Sequence, residues 1–313
     1  YYECKKQIRE YLSSCENPDI LFLNTIPLPA FRYVKRYALK NKITLVHDAV
    51  EWHSFDQYSL TDIYGLITGL YRNSMINRFI IDKHFKVISI SNYLDSYFKN
   101  SGINSLRIPV IMNVNKISYR KQNFDKRLHI TYAGSPKGKD YLGNIISAIE
   151  LLSEDERQKL EFTLLGVNEI QLSEITKRTM EQIRKLGCIN ALGRVTRNDV
   201  LKKLENTDFT ILIRSEKARY AKAGFPTKVV ESLASATPVI LNLTSDLGLY
   251  LQDGYDSLTV ASEEPEDIVV ALRRALALSA EKKKNMCLNA RKTAEENFNL
   301  INYREKLEKF LFD

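Results

Sequence analysis

Residues 209–241 read FTILIRSEKARYAKAGFPTKVVESLASATPVIL. This stretch predicts an apolar strand over Phe209–Ile213 that ends at Arg214, then a basic loop, a helix that opens at Pro226-Thr227-Lys228, and a second apolar strand over Pro238–Leu241. A cationic loop between a strand end and a helix N-terminus suits a bound diphosphate, because the free backbone N–H groups and the helix dipole attract anions.

Lys228 and Glu231 are three residues apart in the predicted helix and therefore share one face. A cation and a carboxylate placed together can hold a phosphate and a sugar hydroxyl of one ligand. The alternative interpretation is an ordinary strand–helix–strand unit with a solvated loop, because a fold pattern alone does not specify a ligand.

Strand patterns alternate with helical patterns along the whole chain. This alternation predicts an α/β fold with parallel sheets and helices on both faces. A chain of 313 residues is long enough for two domains, and the polar segment 113–126 is the predicted linker. The predicted strands are 20–23, 43–47, 87–90, 105–108, 128–133, 162–165, 189–192, 209–213, 239–242 and 257–260, with helices that include 31–41, 61–85, 91–100 and 198–204.

The chain starts at Tyr1 rather than Met and opens with a helical pattern. Because an α/β domain usually begins with a strand, we expect the first domain to be incomplete, with an N-terminal strand and its loop outside this sequence.

Composition excludes several classes of protein. The apolar content is 44%, the charged content is 27% and the net charge is +8, without a long Lys/Arg run, so nucleic acid is not a favoured partner. A mildly basic surface fits an anionic ligand or an anionic membrane face. The longest apolar stretch, 63–81, is interrupted by arginine and asparagine, and the four cysteines have no metal-site spacing.

Three loops follow predicted strands and carry glycine or arginine, namely those at Gly134, Gly193 and Arg214. The first reads AGSPKGKD and resembles a phosphate-binding loop. It does not fit the P-loop of nucleoside-triphosphate-binding proteins, because its glycine spacing differs and Asp140 stands where that motif has Ser or Thr. Because ligands of open α/β sheets bind beyond the carboxyl ends of the strands, we expect the three loops to converge on one crevice.

A polar run follows the second predicted strand and reads HDAVEWH, from His47 to His53. Its two histidines and the carboxylates of Asp48 and Glu51 are groups that act in acid/base chemistry or in ligand binding. The spacing is not that of a standard metal site, so we predict no metal there.

The motifs resemble, in their order and spacing, the nucleotide-sugar-binding domain of retaining glycosyltransferases of the GT-B fold. This is the large bacterial group, called group 1 or family 4-like, that builds capsular and cell-surface polysaccharides. The resemblance covers roughly 128–260, and more loosely the whole chain. The motifs are AGSPKGKD, LLG, LGRVTRNDV, ILIR, GFPTKVVESLASATPVI and LQDGYDSLTV, with VISISNYLDSYF and IPVIMN in the first half.

The resemblance implies two Rossmann-like domains whose parallel sheets face a cleft. Residues 1–114 would form the acceptor-side domain, residues 115–298 the donor-binding domain, and a C-terminal helix over 299–313 would pack back on the first. By the same resemblance, Lys139 and Arg214 would bind the donor diphosphate, together with a set of pocket residues from the strand-end loops and from the start of the 226–231 helix. That set is Gly134, Ser135, Gly193, Gly224, Thr227, Lys228 and Glu231, with Glu231 on the donor ribose.

Two positions depart from the family pattern. The first acid of the family's E-x7-E motif would stand at position 223, which is Ala223, and the usual arginine of the first glycine loop is Ser135. We expect Arg219 or Lys137 to compensate, as in the branch of the family with a P-x-K-x-x-E pattern. His47 and His53 would orient the acceptor or the sugar.

The implied function is transfer of a hexose or N-acetylhexosamine from a nucleoside-diphosphate sugar to a glycan or lipid-linked acceptor, with retention and without a metal or other cofactor. The expected location is the cytoplasm, with peripheral contact to the inner membrane face through Arg32, Lys35, Arg36 and Lys40 on helix 31–41. Two alternatives remain open. One is a catalytically silent partner subunit of the same fold, and the other is a sugar-nucleotide epimerase.

Overall fold

The computed structural model describes residues 2–15, 18–24, 26–58, 60–119, 127–136 and 138–313, with backbone only for residues 2–5 and 56. The chain folds into two compact units. Unit 1 comprises residues 1–109, 218–225 and 303–313, and unit 2 comprises residues 110–217 and 226–302. The predicted division assigned 218–225 to the second domain, whereas the structure groups this short segment with the first unit. Part of the predicted linker, 120–126, lies outside the described residues.

Unit 1 contains a four-stranded parallel sheet in the order β1-β2-β3-β4. Its core forms where the alternate apolar residues of the strands meet helices α2 and α5, and the fully buried side chains include Phe31, Phe85, Leu94 and Phe98. The strands are Ile20–Leu23 (β1), Thr44–Ala49 (β2), Phe85–Ser89 (β3) and Asn104–Arg107 (β4). The helices are Tyr2–Ser14 (α1), Leu28–Asn41 (α2), Ile63–Gly65 (α3), Arg72–Met75 (α4), Asn92–Asn100 (α5), Arg219–Ala223 (α11) and Arg304–Phe312 (α15).

Unit 2 contains a six-stranded parallel sheet in the order β10-β9-β8-β5-β6-β7. The strands are Leu128–Ala133 (β5), Leu160–Leu165 (β6), Ile189–Ala191 (β7), Phe209–Leu212 (β8), Val239–Asn242 (β9) and Ser257–Val260 (β10). The helices are Leu142–Glu150 (α6), Glu154–Gln158 (α7), Glu169–Thr176 (α8), Met180–Lys185 (α9), Arg197–Glu205 (α10), Thr227–Ala234 (α12), Pro265–Leu276 (α13) and Ala280–Asn297 (α14).

The chain first builds β5, β6 and β7 on one side of this sheet and then returns to build β8, β9 and β10 on the other. Strands β5 and β8 are therefore neighbours, paired at Ile130 with Phe209 and at Thr131 with Thr210. The strand order reverses between them, and this reversal leaves a crevice at their carboxyl ends.

The predicted strand–helix alternation is confirmed, with strand boundaries that shift by at most two residues and with α2 beginning three residues earlier than predicted. The predicted capping box of α10 is also present, because the Thr196 side chain accepts the backbone N–H of Asp199 and the Asp199 carboxylate accepts that of Thr196. The predicted helix 61–85 is shorter, and its turns widen to π-helical geometry over Leu66–Tyr71 and Ile76–Ile80. We refer to the whole run 63–80 as the 63–80 helix.

Among the helices of the described residues, none is long and apolar enough to cross a membrane. Cys15, Cys188 and Cys287 carry free thiols, in agreement with their scattered spacing.

Candidate functional site

The crevice of unit 2 lies between the segments that follow β5 and β8. Gly134 follows β5, and Arg214 lies just beyond β8. Asp140 pairs with Arg214 in an isolated antiparallel bridge, and the backbone N–H of Tyr141 donates to Ile213 O at 2.9 Å. The glycine loop and the arginine strand end, which the sequence predicted to converge, therefore meet at the point where open α/β sheets bind ligands.

A buried carboxylate organises the cations of this crevice. The Asp140 side chain is only 1% exposed, and its Oδ1 accepts from Arg214 Nε at 2.8 Å. Its Oδ2 accepts from Lys228 Nζ at 2.5 Å and from the Tyr132 hydroxyl at 2.7 Å. Lys228 Nζ also donates to the Tyr132 hydroxyl at 2.9 Å and lies 4.4 Å from the centre of its ring. We call Tyr132, Asp140, Arg214 and Lys228 the Asp140 cluster.

The charges in this cluster are strongly coupled. Burial raises the pKa of Asp140, but Arg214, Lys228 and the hydrogen bonds from Lys228 and Tyr132 outweigh it and hold that pKa below its usual range. Burial lowers the pKa of Lys228, and Asp140 offsets part of that effect. Burial, followed by the charge of Asp140, raises the pKa of Tyr132, so its hydroxyl stays protonated and donates. The cluster carries two cations and one anion, which leaves one positive charge facing the crevice.

Gly134 lies next to the Lys228 side chain in a backbone conformation that favours glycine. Its φ is +137°, a conformation that residues with a Cβ rarely adopt. A Cβ there would lie 2.4 Å from Lys228 Cε and 2.5 Å from Nζ. Gly166, which follows β6 with a φ of +94°, leaves equally little room, because a Cβ there would lie 2.7 Å from Gly134 O.

A cavity of about 580 Å³ opens beside these glycines, and its volume is in the range of small-molecule sites. It is lined by Gly134, Ser135, Leu165, Gly166, Asn168, Gln171, Arg194, Val195 and Val200. Gly193, at a φ of +68°, directly precedes the lining residue Arg194; its carbonyl accepts the N–H of Gly166, and its own N–H donates to Val167 O. Of the predicted site residues, Gly134 and Ser135 line the cavity, and Gly193 is hydrogen-bonded to a residue that does.

Helix α12 presents its N-terminus without a side-chain cap from the described residues. Thr227 is exposed at its first position, and Lys228 follows. Glu231 lies one turn later, is partly exposed, and is 3.7 Å from Arg197. Lys228 and Glu231 also line one small pocket, as their spacing predicted. Lys139 is half-buried in the turn before Asp140, where its N–H donates to Pro136 O, and Lys137 lies outside the described residues.

His47 lies in the core of unit 1. Its Nδ1 is 3.2 Å from Leu23 O, and its ring meets that of Phe31 edge-on at 5.6 Å. Burial lowers the pKa of His47 to about 4, so the ring is neutral at physiological pH. This environment gives the ring a packing role and no support for acid/base chemistry near neutral pH.

His53 occupies a different environment in unit 1. Its Nε2 is 2.6 Å from Glu51 Oε1, its Nδ1 bonds the Tyr58 hydroxyl, and the Tyr58 ring stacks on it at 5.8 Å. Burial, followed by the charges of Glu51 and Asp62, raises the pKa of Tyr58 to about 12. The three side chains form a half-buried polar cluster that fixes the imidazole between an acceptor and a hydroxyl.

Arg219 and Gly224 lie in unit 1, within the segment 218–225. The Arg219 guanidinium lies 5.1 Å from the Trp52 ring centre, and its Nε donates to His53 O at 3.1 Å. Ser91 Oγ donates to Ala223 O at 2.7 Å, and Ala223 is fully buried in the core. Position 223 therefore has no room for an exposed acid, and the guanidinium of Arg219 is used to anchor this segment.

Within the described part of the chain, no group of three or more His, Cys, Asp or Glu side chains is placed to hold a metal ion. Arg214 and Lys228 are the cationic side chains of the Asp140 cluster.

Parallel sheets, a cationic crevice at the point where the strand order reverses, and a glycine-lined cavity are features that suit an anionic, phosphate-bearing ligand in an α/β protein. The family model for glycosyl transferases group 1 matches residues 114–293, which is more than half of the chain. The chain belongs to this family.

An uncharacterised glycosyltransferase of Methanocaldococcus jannaschii is 26% identical over 241 residues. The match covers 74% of this chain but only 58% of that relative. Among solved structures, sucrose-phosphate synthase from Thermosynechococcus elongatus has a TM-score of 0.72 at 14% identity, covering 97% of this chain and 75% of that one. Anabaena HepE in complex with UDP has a TM-score of 0.71 at 15% identity, covering 98% and 81%. The α/β fold is that of the GT-B glycosyltransferases.

Sequence reasoning missed four side chains that the structure places at these sites: Tyr132, Asp140, Arg194 and Tyr58. The sequence does contain a clue to Asp140, because an acid in an otherwise basic glycine loop needs a partner when it is buried. It also contains a clue to Arg194, which directly follows Gly193 in a strand-end loop. It contains no clue to Tyr132 or Tyr58, since neither belongs to a recognisable pattern.

Substitution of Asp140 tests the energetics of the cluster. We expect Asp140→Asn to lower the free energy of unfolding by about 3 kcal/mol at neutral pH, because two cations lose their buried partner. The folded-state pKa of Asp140 lies below its unfolded value, so its stabilisation is present above the unfolded pKa and is lost as the pH falls through the folded pKa. The difference between wild type and variant should therefore shrink below about pH 4.

Urea denaturation at several pH values measures this difference. The exposed pair of Arg304 with Glu308 supplies the control, and Glu308→Gln should leave the free energy of unfolding almost unchanged at any pH, because solvent screens an exposed pair. A loss for Asp140→Asn no larger than that of Glu308→Gln would contradict the assignment.

The contact between Gly134 and Lys228 is tested by a double-mutant cycle. We expect Gly134→Ala to destabilise the wild type by at least about 1 kcal/mol more than it destabilises Lys228→Ala, because a Cβ at 134 pushes the ammonium away from Asp140 only when the lysine is present. Unfolding free energies of the four proteins give the coupling. Equal costs in both backgrounds would show that the two residues do not compete for space.

Proposed function

We propose that the chain transfers a hexose or an N-acetylhexosamine from a nucleoside-diphosphate sugar to a hydroxyl of a glycan or lipid-linked acceptor, with retention. The observation that carries this proposal is the Asp140 cluster, which fixes two cations beside the uncapped N-terminus of α12. Membership of the group 1 family supports the reaction class. The likeness to HepE, whose structure contains UDP, supports the donor class.

The donor would bind along the crevice of unit 2. Its diphosphate would contact Lys228, Arg214 and the first N–H groups of α12, which suit an anion by charge and by dipole. The nucleoside would enter the cavity of about 580 Å³ beside Gly134 and Arg194. Glu231, one turn into α12, would accept hydrogen bonds from the ribose, and Thr227 would contribute its hydroxyl.

The cluster would accelerate the reaction by stabilising the leaving group. As the bond between sugar and diphosphate breaks, negative charge grows on the diphosphate, and cations that are already in place need no reorganisation to meet it. Asp140 supplies that preorganisation, because it fixes the Arg214 and Lys228 side chains before any ligand arrives. In this proposal no metal ion and no other cofactor is required.

We assign the role of orienting the acceptor or the sugar to a cluster in unit 1, formed by Glu51, His53 and Tyr58. Of the two histidines in the HDAVEWH run, His53 has the polar, half-buried setting that such a role needs, whereas His47 is enclosed by the core. We infer that the protein acts in the cytoplasm as a peripheral protein at the inner face of the membrane.

A catalytically silent subunit of the same fold is the second candidate. It is favoured by Ala223, which is buried where the family pattern expects an acid, and by Ser135, which replaces an arginine. A silent subunit would bind a nucleoside diphosphate without transferring sugar to any acceptor. An epimerase would isomerise the donor sugar in the absence of an acceptor.

Calorimetric titration with UDP, GDP, ADP and CMP in excess EDTA tests the donor site. We expect one nucleotide to bind, and Lys228→Gln to weaken that binding by more than tenfold, about 1.4 kcal/mol, because the charge that meets the diphosphate is removed. Lys284→Gln, an exposed lysine of α14, is the matched control and should leave the affinity unchanged. Binding that requires a divalent ion, or that ignores Lys228→Gln, would refute the proposed site.

A further inference from the structure

The Asp140 carboxylate accepts hydrogen bonds from three described side chains, and these differ in how accessible they are. Arg214 Nε donates to Oδ1 at 2.8 Å, whereas the Tyr132 hydroxyl and Lys228 Nζ both donate to Oδ2, at 2.7 Å and 2.5 Å. Tyr132 is fully buried, the Arg214 side chain is 15% exposed and the Lys228 side chain is 28% exposed. Of the three, Lys228 is therefore the partner most open to a ligand in the crevice.

The backbone fixes Arg214 beside Asp140. The N–H of Arg214 donates to Asn242 Oδ1 at 3.0 Å, and Asn242 Nδ2 donates back to Arg214 O at 2.7 Å. Asp140 and Arg214 also form an isolated antiparallel bridge. Tyr132 is equally well fixed, because it lies within strand β5. These two partners of the carboxylate are thus part of the sheet and of the segments attached to it.

Lys228 reaches the carboxylate in a different way. It comes from the first turn of α12, and the end of its side chain crosses over Gly134, where a Cβ would lie 2.4 Å from Lys228 Cε. The four-carbon stem of a lysine is flexible, and its ammonium is a point charge whose donors rotate freely. A change of partner by Lys228 therefore requires side-chain rotation alone, without movement of the backbone.

Asp140 would stay paired if Lys228 left it. Arg214 would still donate to Oδ1, and the Tyr132 hydroxyl would still donate to Oδ2. Burial, followed by the charge of Asp140, raises the pKa of Tyr132, so its hydroxyl keeps the proton that it donates. A buried carboxylate that retains a cation and a hydroxyl donor avoids the large cost of a buried, unpaired charge. The cluster therefore has two permanent partners for the carboxylate and one that can be exchanged.

We propose that Lys228 exchanges between two anions, the Asp140 carboxylate in the empty site and the donor diphosphate in the filled site. Asp140 holds the ammonium within reach of the ligand and also competes with the ligand for it. Asp140 is then a positioning residue that promotes release of the nucleoside diphosphate product, because it takes Lys228 back. The role rests on the proposed function for the identity of the ligand, and it adds to preorganisation the claim that Asp140 weakens diphosphate binding.

Calorimetric titration of Asp140→Asn tests the exchange, with UDP, GDP, ADP and inorganic pyrophosphate as probes. We expect the nucleoside diphosphate that binds the wild type to bind the variant at least about tenfold more tightly and to dissociate more slowly. The reason is that the competing anion is removed, while the asparagine carbonyl can still accept from Arg214. A purely structural role predicts the opposite sign, because cations that are no longer held in place bind a ligand more weakly.

Asp208→Asn is the matched control. Asp208 is also a buried carboxylate of unit 2, 4% exposed, and it lies 3.3 Å from Lys283 and accepts the N–H of His129 at 2.8 Å. It directly precedes β8, whereas Arg214 lies beyond the other end of that strand. Asp208→Asn should lower the free energy of unfolding, as Asp140→Asn does, and leave the affinity for the diphosphate unchanged.

A double variant tests whether Asp140 acts through the lysine. Asp140→Asn/Lys228→Gln should bind the nucleotide no more tightly than Lys228→Gln alone, because the anion and the cation that exchange are both absent. A gain in affinity that survives the loss of Lys228 would show that Asp140 acts through another group.

Nuclear magnetic resonance on the wild type tests the exchange without relying on the folding of Asp140→Asn. In protein labelled with ¹³C and ¹⁵N, we expect a hydrogen-bond scalar coupling between Lys228 Nζ and Asp140 Cγ in the empty site. Saturation with the nucleotide that binds should abolish this coupling. The ammonium signal of Lys228 is assigned by its absence from Lys228→Gln.

The exchange is overturned if Asp140→Asn binds the nucleotide no more tightly than the wild type does, or if the scalar coupling persists at saturation. Either result, obtained while a nucleoside diphosphate binds the wild type, contradicts the exchange alone. Absence of binding by UDP, GDP and ADP to the wild type contradicts the proposed function and, with it, this role of Asp140.

Discussion

The buried carboxylate of Asp140 is the constraint on which the rest of the candidate site depends. It joins three segments that are distant in sequence, namely the turn after β5, the end of β8 and the first turn of α12. An isolated buried carboxylate is costly, and so are buried cations, but together with a phenolic hydroxyl they satisfy one another. Gly134 lies beside this cluster at a positive φ that favours glycine, and the end of the Lys228 side chain occupies the space that a Cβ would take.

The same constraint connects stability with function. A cluster of two cations and one anion is stable when empty and still presents one net positive charge to a ligand. A site made of free cations would attract a diphosphate more strongly, but the cations would have to be ordered at the moment of binding. In unit 1, the cation–π contact of Arg219 with Trp52 has the comparable structural role of anchoring the segment 218–225.

Much of the fold could be predicted from local sequence pattern. Alternating apolar strands and helices indicate parallel sheets, and glycine and arginine at strand ends indicate the ligand edge, because these signals lie within a few residues of one another. The cluster itself could not be predicted, since Asp140 lies 74 residues from Arg214 and 88 from Lys228. The burial of individual side chains could not be predicted from the sequence either. His47 and His53 look alike in the sequence, yet one lies in the core and the other in a polar cluster. Arg219 was predicted to bind the donor, and the structure shows that it packs on a tryptophan.

A crystal structure with the bound nucleoside diphosphate would locate the donor site. We expect the diphosphate to lie over the first turn of α12 with a phosphate oxygen within hydrogen-bond distance of Lys228 Nζ, while Arg214 remains paired with Asp140. A diphosphate bound away from α12, with the contacts of Lys228 to Asp140 and Tyr132 unchanged and no contact to the ligand, would contradict this expectation.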